Sequence, residues 1–148
     1  VNSRISKYFI KKYYEPDLQL KLINSLLKLA NTSIDISDGL IDDLKKMINR
    51  QSVSFHIFEK KIPVSNTLSQ LIEIKKLRKI DITSRGDDYQ ILFTANPIKS
   101  RIIKRISNNT GIKITKIGKI ISGKNKSKII NIKNKQIEAK NKGYIHQF

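Results

Sequence analysis

The stretch TSIDISDGLIDDL, residues 32–44, decides how the chain is read. Ile34 and Ile36 alternate with polar residues, the two-residue period of a half-buried strand. From Gly39 the period changes. Leu40, Ile41, Leu44, Met47 and Ile48 fall on one helical stripe, with Asp42 and Asp43 early and Lys45, Lys46 and Arg50 late, the order that complements a helix dipole. A strand therefore hands over to a helix within residues 35–39. With both isoleucines inward, Asp35 points to the opposite face and Asp38 stands at the junction, so two carboxylates can approach one point.

Two readings suit this junction. Hard cations such as Mg²⁺ take carboxylate oxygens and keep waters or phosphates as further ligands. Gly39 lets the backbone come close to a ligand, and the N–H groups of the helix start, with the Ser37 hydroxyl beside them, offer an anion site. The same residues equally make a plain capped helix, with Ser37 or Asp38 as the N-cap and Gly39 turning the chain. Alone, the motif favours the capped helix. Further along, Gly86-Asp87-Asp88-Tyr89 precedes the apolar strand ILFTA (91–95) and again sets two acids beside a glycine. Two such corners at strand–helix junctions of one small domain shift the balance toward a site.

Working outward, residues 1–14 mix basic and aromatic side chains and read as an arm or short helix. Pro16 suits a first helical turn, and Leu18, Leu22, Ile23, Leu26, Leu27 and Ala30 predict an amphipathic helix over 16–30. Strands are predicted at 32–37, 52–58, 91–95 and 112–121, with Gly118 a bulge or point of close approach. Helices are predicted at 67–77 and from Asn96-Pro97 to just before Gly111, and a hairpin across Asn134-Lys135. This order predicts an α/β domain of the α+β type: a mixed β-sheet covered by helices.

At 148 residues and 39% hydrophobic composition the chain is long and apolar enough for one domain with a real core. The absence of cysteine excludes disulfides and thiolate metal sites and fits a reducing, cytoplasmic setting; with only 2 histidines the composition also argues against a transition-metal centre. No apolar run approaches the roughly 20 residues of a membrane span, and no secretory signal is evident. Nucleophile-elbow, P-loop and dinucleotide fingerprints are missing. The net charge of +18 raises a nucleic-acid-binding module as the alternative class. Its lysines are scattered, however, and Phe55, Phe58 and Phe93 fall in strands that feed a core rather than a stacking surface. The charge reads as a solvated surface, with no specific nucleic-acid partner.

YYEPD (13–17), SIDISDGLIDDL (33–44), SRGDDYQILFT (84–94), ITKIGKII (114–121) and the terminal GYIHQF (143–148), in this order and spacing, resemble the C-terminal half of the thiamine-monophosphate kinase family, within the aminoimidazole ribonucleotide synthetase-like superfamily. The resemblance runs from about residue 8 to the end. It implies the C-terminal domain fold of that superfamily over 16–148, with 1–15 an arm or linker. It also implies ATP- and Mg²⁺-dependent phosphorylation of thiamine phosphate to thiamine diphosphate. By the same resemblance Asp35 and Asp38 would ligate Mg²⁺, Ser37 would touch ATP, and Asp87 and Tyr144 would contact thiamine phosphate. Arg85 replaces a glycine usual in the family, Gln90 a glutamate, and the tail is one residue longer than the usual pattern. The family's N-terminal half, which carries most of the metal-binding aspartates, much of the ATP site and the interface of a homodimer, has no counterpart here. From that missing half two expectations follow: no turnover by the chain alone, and, with Arg85, a catalytically dead remnant as the competing reading.

Overall fold

The protein is described here by a computed structural model covering residues 3–49 and 51–139. Arg50 and the tail motif with Tyr144 lie outside the described residues.

The handover predicted at residues 35–39 is present. Strand β1, Ala30–Asp35, alternates part-buried and exposed residues, with Ile34 turned inward and Asp35 outward. After a short turn, helix α3 (Leu40–Met47) follows; the helices before it are α1 (Ser3–Tyr14) and α2 (Ile23–Leu29). Helix α3 buries Leu40, Ile41, Leu44 and Met47, the stripe expected from the spacing. Around these side chains gather Ile36, Phe55, Ile57, Ile62, Ile80, Leu92 and Ile129, which form the core. Full burial of one such leucine or isoleucine contributes about 1.5–3 kcal/mol, so α3, with four of these side chains, is a major contributor to the core.

The strands form two sheets rather than the single one expected. β1 pairs antiparallel with β3 (Ile91–Ala95), which follows helices α4 (Asn66–Ile74) and α5 (Lys79–Thr83); Ser33 lies opposite Phe93 and Asp35 opposite Ile91. The second sheet is built on β2, Val53–Phe58. After helix α6 (Ser100–Thr110), strand β4 (Gly118–Ser122) joins β2 antiparallel, β5 (Lys128–Ile130) joins it parallel, and β6 (Gln136–Ile137) closes the edge against β5. The order β4-β2-β5-β6 makes this sheet mixed, as predicted. Leu92 from β3 and Phe55 and Ile57 from β2 join the residues of α3 in the one core cluster, so both sheets contribute to it.

Some elements depart from expectation. Instead of one helix over 16–30 there is a 3₁₀ turn at Leu20–Leu22 and a short α2. Leu22, Leu26 and Leu29 are buried while Leu18, Leu20, Ile23 and Leu27 are exposed. An isolated stripe without a covering surface does not hold a helix in water, and of this stripe only Leu22, Leu26 and Leu29 are covered. Ala30, expected to close that helix, instead begins β1, and Lys99 Nζ donates to the carbonyls of Lys28 and Leu29 at the helix end. The strand predicted over 112–121 is reduced to β4. There Gly118 does allow a close approach: a Cβ on it would stand 2.3 Å from the His56 carbonyl oxygen. The short helix α5 had no expectation attached to it. Its Ile80 is fully buried, and Glu59, itself buried in the preceding 3₁₀ turn, accepts the Ile80 N–H at 3.1 Å. No helix among the described residues is long and apolar enough to cross a membrane.

Candidate functional site

The two acidic corners meet. Backbone pairing of β1 with β3 continues past the strand ends: Ile36 N–H donates to the Gln90 carbonyl at 2.8 Å, Tyr89 N–H to the Ile36 carbonyl at 2.8 Å, and Asp87 N–H to the Ser37 carbonyl at 2.9 Å. Two glycines then fit the loops into one another. A Cβ on Gly86 would lie 2.3 Å from the Ser37 carbonyl oxygen, and one on Gly39 would lie 2.6 Å from the Ser84 carbonyl carbon and oxygen. Both glycines also have positive φ, 114° at Gly39 and 97° at Gly86, a region that side-chain-bearing residues seldom occupy. The DISDG and SRGDD segments therefore form one double-loop unit, and Ser37, Asp38 and Asp87 are held together through it.

The start of α3 is capped in a way neither reading anticipated. Neither Ser37 nor Asp38 is the N-cap; Gly39 takes that position and makes no side-chain bond. Instead Asp43 reaches back, and its Oδ2 accepts the N–H groups of Ser37, Asp38 and Gly39 at 2.9, 2.9 and 3.2 Å. These three donors, which the sequence offered to a phosphate, are committed to a carboxylate of the same chain. Asp43 is 1% exposed. Its Oδ1 accepts from Lys46 Nζ at 3.0 Å, and Lys46 also hydrogen-bonds Asp38 Oδ2. The bond to Asp38, and then that to Asp43, hold the Lys46 ammonium above its ordinary pKa.

Asp35 is exposed on the outer face of β1, and its charge reaches Tyr89. Tyr89 donates its hydroxyl to Asp87 Oδ1 at 3.3 Å; the charge of Asp87 and this bond raise the phenol's pKa, with smaller effects from Tyr13 and Asp35. Tyr13 thus lies near the acidic loop, and Gln19 Nε2 donates to Gln90 Oε1 at 3.5 Å, so the end of α1 and the segment after it border the same corner. Beside Asp87, Asp88 has its pKa pushed up to about 6, first because the surrounding chain crowds water from its carboxyl and second because of the Asp87 charge. The residue still exposes part of its surface, so the crowding is local to the carboxyl. Asp87 and Tyr89 both sit at positive φ, 58° and 50°, which for non-glycine residues marks stored backbone strain. Ser84, behind Gly39, is 2% exposed, and its Oγ has no hydrogen-bond partner among the described residues.

Of the predicted residues, Ser37, Asp38 and Asp87 therefore lie in one double loop, and Asp35 ends the strand that leads into it. Tyr144 lies outside the described residues. Among the described residues no group of three or more His, Cys, Asp or Glu side chains could hold a metal by itself. The donor set still suits a hard cation, since it consists of carboxylate oxygens, and Mg²⁺ commonly takes only one or two protein carboxylates. Asp43, Lys46 and Tyr89 were not expected at the site. Asp43 had a signal: an acid on the buried stripe of a helix, between Leu40 and Met47, has to be satisfied from within.

No family model matches the chain. A thiamine-monophosphate kinase of Buchnera aphidicola (from Schizaphis graminum) is 32% identical over 148 residues, 98% of this chain and 44% of that protein. The chain is similar to thiamine-monophosphate kinases over nearly all of its own length. A thiamine-monophosphate kinase of Aquifex aeolicus is 35% identical over 86 residues, 57% of this chain and 28% of that protein. Among solved structures, AaThiL complexed with AMPPCP and TMP matches with a TM-score of 0.71 and 26% identity over 98% of this chain and 43% of that one. A thiamine-monophosphate kinase of Stenotrophomonas maltophilia shares the fold, with a TM-score of 0.74 at 24% identity over 87% of this chain and 40% of that one. The family resemblance read from the motifs and the mixed α/β fold are borne out. The chain spans less than half the length of these thiamine-monophosphate kinases.

Proposed function

We propose that the chain is the C-terminal part of a thiamine-monophosphate kinase, a phosphotransferase that uses ATP and Mg²⁺ to convert thiamine phosphate to thiamine diphosphate. One observation carries the reading: similarity to AaThiL, complexed with AMPPCP and TMP, extends over 98% of this chain. AMPPCP is an ATP analogue, so that complex pairs a nucleotide with the phosphorylated acceptor such a kinase requires. In this reading residues 1–15 are an arm and 16–148 the domain. Support comes from α1, which buries none of its residues.

Bound Mg²⁺ would screen phosphate charge and orient the transferring group, the main needs of phosphoryl transfer. The chain's own residues supply the frame. Asp35 and Asp38 would hold the cation, with Asp43 fixing the loop that carries Asp38. Ser37 would face ATP through its hydroxyl, since its N–H is already taken by Asp43. Asp87 and Tyr144 would contact thiamine phosphate, Asp87 being held in position by its own N–H on the Ser37 carbonyl. The remaining acids and nucleotide contacts would come from an N-terminal half, in a homodimeric enzyme working in the cytoplasm. The chain alone is then incompetent. Arg85, exposed beside Gly86, gives the dead-remnant reading its footing, because it brings bulk and charge to the loop that holds Asp87.

The test is a chimera in which this chain replaces the matching segment of the Aquifex aeolicus enzyme. It should form thiamine diphosphate from ATP, Mg²⁺ and thiamine phosphate. Asp35→Asn and Asp38→Asn should each abolish turnover while leaving the thermal melt intact. A folded chimera without turnover that recovers activity on Arg85→Gly would locate the defect in the loop. One that stays inactive after that change would establish the remnant reading.

A further inference from the structure

Lys46 bridges two carboxylates that differ in how firmly the fold needs them paired. Asp43 is buried, with Oδ2 committed to three backbone N–H groups and Oδ1 on Lys46 at 3.0 Å. Asp43 keeps its three N–H donors whether or not Lys46 is present, and the Lys46–Asp43 contact is the more buried arm of the bridge. Asp38, whose side chain retains 17% exposure, stands at the solvent edge of the same bridge, and Lys46 itself is 52% exposed. At that edge another cation can replace the ammonium without uncovering a buried charge.

We propose that Lys46 is a displaceable counter-ion of the metal corner. It neutralises and aims the Asp38 carboxylate while no divalent cation is bound, and it keeps Asp43 as its partner when a cation takes the Asp38 oxygen. This rests on the reading of Asp35 and Asp38 as Mg²⁺ ligands. The ammonium both prepares the ligand and opposes the cation, so removing it tightens binding. Lys45 supplies the control for a general change of charge: it is one residue away but pairs with Asp42 at 2.8 Å.

The experiment titrates Mn²⁺, a paramagnetic stand-in for Mg²⁺, into the isotopically labelled chain and follows line broadening of the amides of residues 35–39. Lys46→Met should lower the apparent Kd roughly three- to tenfold, and Lys45→Met less than about twofold. Lys46→Gln, a second neutral replacement, should shift it in the same direction as Lys46→Met, and melting curves confirm that each variant is folded. If Lys46→Met binds no more tightly than Lys45→Met, the counter-ion role is overturned while the metal reading stands. If Asp35→Asn and Asp38→Asn leave the broadening unchanged, the metal reading itself has failed and this proposal falls with it.

Discussion

Gly86 rests directly on Ser37: a Cβ at Gly86 would stand 2.3 Å from the Ser37 carbonyl oxygen, while the next residue, Asp87, donates its N–H to that same oxygen at 2.9 Å. One carbonyl thus fixes both the clearance and the register between two loops about fifty residues apart in the chain (residues 37 and 86). The corner exists only because position 86 has no side chain.

Gly86→Ala should therefore destabilise the protein by about 2–4 kcal/mol, through a backbone clash added to a strained φ. Gly39→Ala should behave alike, since its Cβ would meet the Ser84 backbone at 2.6 Å. Gly111, with positive φ but nothing within 4 Å of a built Cβ, separates the two causes: its alanine variant should cost only about 1 kcal/mol. Urea midpoints of the three variants check the order.

Asp43→Ala removes the acceptor of three N–H groups and the buried partner of Lys46. A loss of about 2–4 kcal/mol is expected. Asp43→Asn, which keeps one acceptor oxygen, should lose less. Hydrogen exchange should quicken first at the amides of residues 37–39, and unchanged exchange there would show that the loop does not depend on this carboxylate.

Asp88 makes the loop pH-sensitive. Its folded pKa lies at about 6, above the ordinary 3.8, so between these values the folded state binds more protons than the unfolded one. Stability contributed here is present below about pH 4, declines as pH rises to about 6, and is level above that. Asp88→Asn should flatten this part of the profile and make the protein more stable at pH 7 relative to pH 4 than the parent. Urea unfolding across that range measures it, and carbon NMR of the Asp88 carboxyl should show a midpoint near 6.

Glu59 acts at a distance. By accepting the N–H of fully buried Ile80 at 3.1 Å it anchors α5, the helix that leads to Ser84 and the wall against Gly39. Glu59→Ala should cost about 1–3 kcal/mol by leaving that N–H unpaired. Exchange of the Ile80 amide should quicken with little change in α6.

The parts of this fold legible from sequence were those whose signal is local. The handover at residues 35–39 showed as a change of hydrophobic period, and α3 buries the residues that period marked. The turn at Asn134 was equally visible, and it forms with φ of 58°. The helix predicted over 16–30 failed because its apolar spacing was genuine but most of it met no covering surface. The short α5 was missed because its formation depends on Glu59 some twenty residues earlier (59 to 80).

For the site, residue types in order marked Asp35, Ser37, Asp38 and Asp87, and those motifs pointed to the family that the relatives support. By itself the sequence determined the strand-to-helix junction, the two acidic corners and that family resemblance, since all three are written in local spacing. Only the tertiary structure decided that the corners interlock through two glycines and that Asp43 fills the anion nest, with Lys46 bridging it to Asp38. Those contacts depend on where distant backbone comes to rest and on which buried donors are left to satisfy, and neither is fixed until the core around α3 has closed.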